Sequence, residues 1–304
     1  MSKNEFLPFG TAANANVLPN ADYQALPARV AGFSGGVAKS EELNTVWRQG
    51  STMAAVLGQF IADKTGQDVL DDGDITGLLD KFKGAMGGCL IGVQRFTASG
   101  TYTPTPGTRY VIVEAVGGGG GGGGCSDTSV DNAAVSGGGG SGSYVRTKID
   151  NATIGDATAI TIGIGGAGGV GGNAGTTGGD TKFGSLVTAT GGRGGTTSTS
   201  SSSFAFIAVG GAPGANPSVG NIISSRGSRG GSGLFFNSST GAVGGDGAPS
   251  QFGGSGIGSG SSGTTGSDGS GFGSGGGGNA RQSSSASVNG YAGAPGVIVI
   301  YEYS

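Results

Sequence analysis

The clearest apolar pattern in the chain is helical and lies near the N-terminus. Ser40 is a candidate N-cap, the two following glutamates suit a first helical turn, and Gly66 is a candidate stop. Between them, apolar residues and one glycine follow a 3-4-3-4-3 spacing: Leu43, Val46, Gly50, Met53, Leu57 and Phe60. This spacing is the a/d pattern of a coiled coil. It predicts a self-associating helix, and the alternative is an amphipathic helix packed on its own domain.

The rest of residues 1–88 predicts a small, mainly helical N-terminal domain. Residues 1–20 have no periodicity and contain two prolines, which predicts an extended arm. Asn20 or Asp22 can cap a short helix that Pro27 limits. Asp74 is a candidate cap for a further helix with one apolar face: Ile75, Leu78, Leu79 and Phe82.

From Cys89 onward the pattern changes to strands, and residues 89–304 are predicted to form an all-β scaffold. Seven stretches are rich in β-branched and aromatic residues: Val93–Thr97, Tyr110–Val116, Tyr144–Ile149, Ala159–Ile164, Thr181–Phe183, Leu186–Thr190 and Val297–Tyr301. Gly184-Ser185 is suited to a tight hairpin turn, because glycine adopts positive φ at its first position.

Glycine is concentrated in this second part of the chain, which holds 60 of the 73 glycines, in residues 96–304. Much of it recurs every third residue, as in the series Gly163, Gly166, Gly169, Gly172, Gly175 and Gly178. A polyproline II helix has three residues per turn, so this series predicts a bare backbone stripe along an extended helix. Bare stripes allow neighbouring helices to approach closely and to bond laterally. The pattern therefore predicts a sandwich of polyproline II helices, packed backbone against backbone.

The strand order predicts where the glycine emerges. If the strands run antiparallel, the three glycine blocks, residues 117–142, 165–180 and 191–295, all project from the same end of the scaffold. The prediction depends on the reversal at Gly184-Ser185, since without it the third block would point the opposite way.

Apolar residues within the Ser-rich loops between glycine runs are the candidate recognition residues. Loops on a rigid scaffold commonly carry binding function, and exposed aromatic patches mark contact sites. The candidates are Phe204, Phe206, Ile207, Leu234, Phe235, Phe236, Asn237 and Tyr291. The alternative is that the two phenylalanine pairs staple the glycine helices together.

Composition argues against catalysis and against binding to nucleic acid. The chain has no histidine, 12% charged residues and a net charge of −3. It therefore lacks the commonest general base and has no basic field for nucleic acid. Cys89 and Cys125 have no ligand-like spacing and are expected to be free thiols, and the aspartates at 68–74 lack the order of a calcium loop. We expect no enzyme activity, cofactor or metal.

Two long stretches resemble tail fibre proteins of tailed phages and prophages. The opening FLPFGTAANANVLPNADYQALPARVAGFSGGVAKSEELNTVWRQGSTMAAVLGQFIAD, with the later stretch DVLDDGDITGLL, is similar to their N-terminal segment. The stretch QRFTASGTYTPTPGTRYVIVEAVGGGGGGGG, with the ending GAPGVIVIYEY, is similar to the glycine-rich C-terminal domain of such fibres. The tandem glycine motifs also resemble the polyglycine sandwich of T-even phage adhesins.

This resemblance implies a virion protein, assembled in the host cytoplasm, whose N-terminal part attaches to other tail or baseplate proteins. The C-terminal tip would bind a bacterial surface receptor: a pilus, an outer-membrane protein or a glycan. The resemblance also implies an elongated homotrimer, for which the predicted trimerisation residues are Leu43, Val46, Met53, Leu57 and Phe60. The alternative function is that of a structural tail protein whose glycine blocks are spacers or packing material.

Overall fold

A computed structural model describes the chain with a few short gaps, and its residues form two compact units, 1–89 and 90–303. The described residues are 2–33, 35–88, 90–198, 202, 205–218, 220–237, 241–260 and 264–304. The protein is mostly β, with antiparallel sheets and a small helical N-terminal region. Within the described part of the chain, no helix is long and apolar enough to span a membrane.

The first unit is built on one long helix. Its helices are α1 (Asn20–Ala25), α2 (Ala28–Ala31), α3 (Ser40–Thr65) and α4 (Ile75–Ala85). Helices α3 and α4 enclose a small core, whose buried residues are Ile61, Ala62, Val69 and Ala85. The N-terminal arm lies along α3, where the Asn4 amide donates to the carbonyl of Ala55 at 2.9 Å. Gly58 is the residue that lets the Asn4 side chain come this close to the helix.

The helix boundaries confirm two predictions and correct two. Neither Asn20 nor Asp22 caps α1, because Asn20 is its first residue and Pro19 precedes it without a side-chain cap. The Asp74 carboxylate accepts a hydrogen bond from the N–H of Gly77, so the predicted cap is present. Gly66 ends α3 with φ +70°, as expected of a C-terminal glycine. Ser40 is not the N-cap, however. It is the first helical residue, and Lys39 precedes it without a side-chain cap.

The described residues of the second unit form fourteen strands and one helical turn, α5 (Asn151–Ile154). The strands are β1 (Leu90–Phe96), β2 (Gly100–Tyr102), β3 (Tyr110–Val116), β4 (Ala133–Val135), β5 (Tyr144–Asp150), β6 (Thr158–Thr161), β7 (Thr181–Phe183), β8 (Val187–Ala189), β9 (Phe206–Ala208), β10 (Ile223–Ser225), β11 (Gly233–Asn237), β12 (Gly241–Val243), β13 (Ala280–Gln282) and β14 (Val297–Tyr303). All seven strands predicted from the sequence are present with small shifts at their ends.

Two sheets form the scaffold, with strand orders β1-β14-β3-β5-β10 and β2-β6-β7-β8. Their facing residues make one core, which includes Tyr102, Val113, Phe183, Ile298 and Ile300. Outward positions on the larger sheet carry a stacked pair of rings, Tyr110 and Tyr303, with centroids 5.0 Å apart. The alternation of β-branched and polar residues in these strands matches this two-faced arrangement.

The register confirms that the glycine blocks leave from one end of the scaffold. Val116 pairs with Val297 and with Tyr144, so β3, β14 and β5 meet their glycine segments at the same edge. The smaller sheet obeys the same rule because β7 and β8 form the predicted hairpin. Gly184 has φ +51° there, and the loop is one residue longer than predicted, since Phe183 pairs with Val187.

Beyond this edge the glycine segments form a lattice whose centre is three buried segments: residues 117–124, 137–143 and 273–279. In residues 117–124 the direction of each N–H repeats every third residue. Gly118, Gly121 and Gly124 donate to the carbonyls of residues 179, 176 and 173. The series that starts at Gly117 donates to residues 143, 140 and 137, and the series that starts at Gly119 donates to residues 294 and 291. The carbonyls accept from three more segments, so this segment has six neighbours.

Nine further segments surround the three central ones among the described residues. Each bonds to the next in chain order, and the last bonds back to the first: residues 163–169, 173–179, 190–196, 209–214, 227–231, 244–248, 254–259, 266–269 and 288–294. Three mutually adjacent sites in a hexagonal lattice have nine outer neighbours, so every position around the centre is filled.

The position of a segment in the lattice explains its glycine spacing. A central segment faces a neighbour on every side, and residues 117–124 are accordingly eight consecutive glycines. An outer segment has one side in solvent, where side chains are tolerated at every third residue. Residues 163–170 show this pattern. Ile164 and Val170 are exposed, whereas a Cβ added to the glycines of this segment would meet the backbone of a neighbouring segment. The prediction of backbone-to-backbone packing is confirmed.

A buried carboxylate fixes the loop after β2 to the sheet. Glu302 accepts hydrogen bonds from the Tyr102 hydroxyl at 2.8 Å, the Thr105 N–H at 2.9 Å, the Thr105 hydroxyl at 2.7 Å and the Gln94 amide at 3.1 Å. Burial acts to raise the pKa of Glu302, but these donors outweigh it, and the net pKa is lowered.

Adding one methyl group at the lattice centre should unfold the second unit. A Cβ at Gly119 would overlap the carbonyl oxygen of Ser274, and backbone cannot move aside as a side chain can. We expect Gly119→Ala to destabilise the unit by more than about 3 kcal/mol, the upper end of ordinary overpacking. Thermal unfolding measures this. The matched control is Gly100→Ala, where no atom lies within 4 Å of the added Cβ. Equal stability of the two variants would contradict close packing.

Glu302→Gln should cost about 1.5–3 kcal/mol, because the amide that replaces one oxygen would face hydrogen-bond donors. A carboxylate whose pKa is lowered by folding stabilises the protein above its unfolded pKa and loses that contribution as pH falls through the folded pKa. The stability of the wild-type protein should therefore decrease once the pH is lowered past the ordinary carboxylate pKa of 4.5. Denaturant unfolding from pH 7 to pH 3 should show a shallower decline for E302Q. Asp127→Asn, at an exposed carboxylate, should keep the wild-type slope.

Candidate functional site

The end of the lattice opposite the scaffold is closed by a second, smaller core. It is formed by a three-stranded sheet of order β12-β11-β9 and a two-stranded sheet of β13 and β4. Each of these strands immediately precedes or follows a lattice segment, so the lattice fixes their positions. The predicted Ser-rich loops therefore contain paired strands that share buried residues: Ala133, Val135, Ala208, Phe235, Ala242 and Ala280.

One face of the three-stranded sheet is turned into this core. Phe235 is 5% exposed, pairs with Ala242 on one side and Phe206 on the other, and its ring lies 5.1 Å from that of Phe206. These two phenylalanines hold the end of the lattice together, which matches the stapling alternative. Of the predicted recognition residues, Phe235 is thus a packing residue in this structure.

The other face of the same sheet is apolar and open. Leu234 pairs with Ile207 on one side and Val243 on the other, so the three side chains form a row across all three strands. Ile207 is 63% exposed and Val243 43%. Phe236, 51% exposed, lies two residues beyond Leu234 on the same strand. We call these four residues the distal apolar face: Ile207, Leu234, Val243 and Phe236.

The remaining predicted residues fall in different places. Asn237 ends β11, and its carbonyl accepts from the Gln282 amide at 3.3 Å. Tyr291 lies in an outer lattice segment, half-buried, with its ring where a Cβ of Gly266 would be. Phe204 lies outside the described residues. The structure therefore brings together Ile207, Leu234 and Phe236, and it places Tyr291 in the lattice.

The surroundings of the distal apolar face carry little charge. Six stretches of sequence connect lattice segments on this side: residues 125–135, 170–172, 197–208, 232–243, 260–265 and 280–288. They contain three charged residues, Asp127, Asp131 and Arg281. Serine and threonine make up much of the rest. A surface of this kind recognises shape and apolar contact, and long-range charge attraction contributes little.

Sequence reasoning missed Val243, because it lies just before a glycine run and gives no periodic signal of its own. Val243 is found only through the strand pairing, which places it opposite Leu234.

In the first unit, four of the five predicted trimerisation residues are exposed. The buried face of α3 consists of Thr45, Gly58, Ile61 and Ala62. The predicted seam lies on other positions, and Val46, Met53, Leu57 and Phe60 are between 37% and 61% exposed, while Leu43 is half-buried. Leu57 also lines an apolar groove of about 410 Å³ together with residues of α4. The seam is therefore not the surface that packs the unit's own core.

A glycine-rich domain family model matches residues 96–303. The chain belongs to this glycine-rich domain family. The match begins at the last residue of β1 and ends at the last residue of β14, so it spans the scaffold, the lattice and the distal sheets. No curated protein matches the chain. Membership of the glycine-rich domain family agrees with the expectation of a glycine-rich C-terminal domain.

Proposed function

We propose that the chain is a phage tail fibre or tail-tip adhesin that attaches the virion to a bacterial surface receptor. The single observation that carries this proposal is the distal apolar face, which is presented at the end of a lattice fixed by backbone hydrogen bonds. Apolar side chains that could be buried at low cost are instead left open there, as is typical of contact surfaces. The resemblance of residues 6–63 and 68–79 to the N-terminal segment of tail fibres supports the attachment role.

We further infer that the lattice segments are polyproline II helices. Three residues per turn and lateral bonding without internal hydrogen bonds are the properties of that helix, and the repeating N–H directions of residues 117–124 agree with both. The lattice is then a rigid support, which matters because an ordered site avoids the entropy cost of ordering a loop on binding.

The proposed assembly is a homotrimer joined through the seam of α3. Several weak distal sites would then act together, since linked sites bind with an avidity that exceeds their single affinities. A structural tail protein remains the second candidate function. The contact between Phe206 and Phe235 favours it, because it shows that these loops also have a packing role.

Removing the exposed apolar side chains should abolish attachment without harming the fold. We expect the double variant Ile207→Ser with Phe236→Ser to bind bacteria at least tenfold more weakly than wild type. Fluorescently labelled full-length chain is tested by flow cytometry on a strain, chosen from a panel, that wild type labels. Ile164→Ser is the control, since Ile164 is 75% exposed at the scaffold end of the lattice. If the double variant labels cells as strongly as wild type, the adhesin proposal is wrong and the structural function is the remaining candidate.

A charge in the seam should separate the protomers. Met53→Asp places a carboxylate at a central apolar position, and we expect it to shift the sedimentation-equilibrium mass from trimer to monomer. Gln49→Asp introduces the same charge at an exposed position of α3 outside the seam and should leave the mass unchanged. A monomeric wild-type chain would rule out the homotrimer.

A further inference from the structure

A polar cavity lies at the scaffold end of the lattice, where β10 continues into the outer segment 227–231. Its volume is about 210 Å³. The cavity is bordered by the start of β5 and by the turn after residues 244–248. The side chains that the argument uses are those of Ser141, Tyr144, Arg226, Ser228, Ser250 and Gln251. This cavity is separate from the distal apolar face and lies at the other end of the lattice.

The floor of the cavity offers hydroxyl groups in fixed positions. Ser141 is fully buried, and its hydroxyl oxygen accepts from the N–H of Ser228 at 2.7 Å. Ser141 therefore fixes the backbone of Ser228 at the cavity, while the Ser228 side chain is exposed. The Ser250 hydroxyl is likewise fixed, since it accepts from the N–H of Phe252 at 3.2 Å and donates to the carbonyl of Phe272. Its oxygen keeps one lone pair that can accept a hydrogen bond from a ligand.

Arg226 gives the cavity a positive charge that no neighbour neutralises. Its guanidinium forms no hydrogen bond or ion pair with any described residue, and neither aspartate nor glutamate occurs among the lining residues. A guanidinium in this situation favours a carboxylate, because its planar fork can bond both oxygens. Gln251, which is exposed at the rim, adds an amide that both donates and accepts.

Tyr144 supplies an apolar wall beside these polar groups. Its ring packs edge-on against Phe252, with centroids 5.8 Å apart, so its orientation is fixed. The cavity is smaller than the range of about 300–1,000 Å³ typical of sites for larger ligands. The volume favours a small ligand, and the lining offers it one cation, several polar groups and one aromatic face.

We propose that this cavity binds one carboxylate-bearing sugar unit. Arg226 pairs with the carboxylate, and the Tyr144 ring covers the apolar face of the sugar. The exposed Ser228 hydroxyl, the Ser250 oxygen as an acceptor, and Gln251 bond the sugar hydroxyls. The proposal does not depend on the adhesin function, since it concerns a different surface.

The test is a titration of the full-length, ¹⁵N-labelled chain with glucuronate, followed by amide NMR shifts. We expect saturable shifts at the lining amides, including those of Gly142 and Gly227. Arg226→Gln should weaken binding at least tenfold while thermal unfolding stays as in wild type. Arg229→Gln is the matched control, because Arg229 is an exposed arginine three residues along the chain and outside the cavity. It should change the affinity less than twofold.

Two further ligands distinguish the parts of the proposal. Glucose, which lacks the carboxylate, should bind at least tenfold more weakly than glucuronate. Inorganic sulfate should also bind more weakly, because it offers no hydroxyls and no flat face. Equal affinity for sulfate would make this a simple anion site and overturn the sugar assignment. Absence of saturable shifts in the wild type, or equal losses in R226Q and R229Q, would overturn the site itself.

Discussion

The structure of the second unit depends on backbone hydrogen bonds between extended segments that lie too close together for a Cβ. At Gly119, Gly139 and Gly275 an added methyl group would overlap a carbonyl of the adjacent segment. Glycine loses more backbone entropy on ordering than other residues, so each segment is costly to order alone. The lattice offsets that cost because a central segment bonds to six neighbours at once, and no N–H of residues 117–124 lacks a backbone acceptor.

This constraint also explains why the unit has two separate cores. The lattice buries backbone and little apolar side chain, so it contributes little hydrophobic stabilisation of its own. A sheet core at one end and the smaller core around Phe235 at the other supply it. The segments are thus held at both ends, and the two candidate binding surfaces occupy those ends: the distal apolar face beyond the smaller core, and the Arg226 cavity beside the scaffold.

Most scaffold strands were predictable, because long β-branched runs such as Tyr110–Val116 favour strands whatever surrounds them. That the glycine blocks all leave the same end of the scaffold was also predictable. It follows from counting the reversals in chain direction between strands, provided that the chain turns at Gly184. The short distal strands were not predictable. Residues 206–208 and 241–243 are three residues each and become strands only because lattice segments bring them beside β11. The sequence therefore proposed the candidate recognition residues of these strands together, but it could not separate the members that pack from those that are exposed.

The sequence by itself determined that glycine recurs every third residue and that the chain would pack backbone on backbone, since a missing Cβ is a local property. Only the tertiary structure decided which segments are central and which are outer, because that depends on six neighbours from distant parts of the chain. It likewise decided that Phe235 is buried and Phe236 is open. Adjacent residues on a strand point to opposite faces, and the face that meets the core is set by the strands on either side.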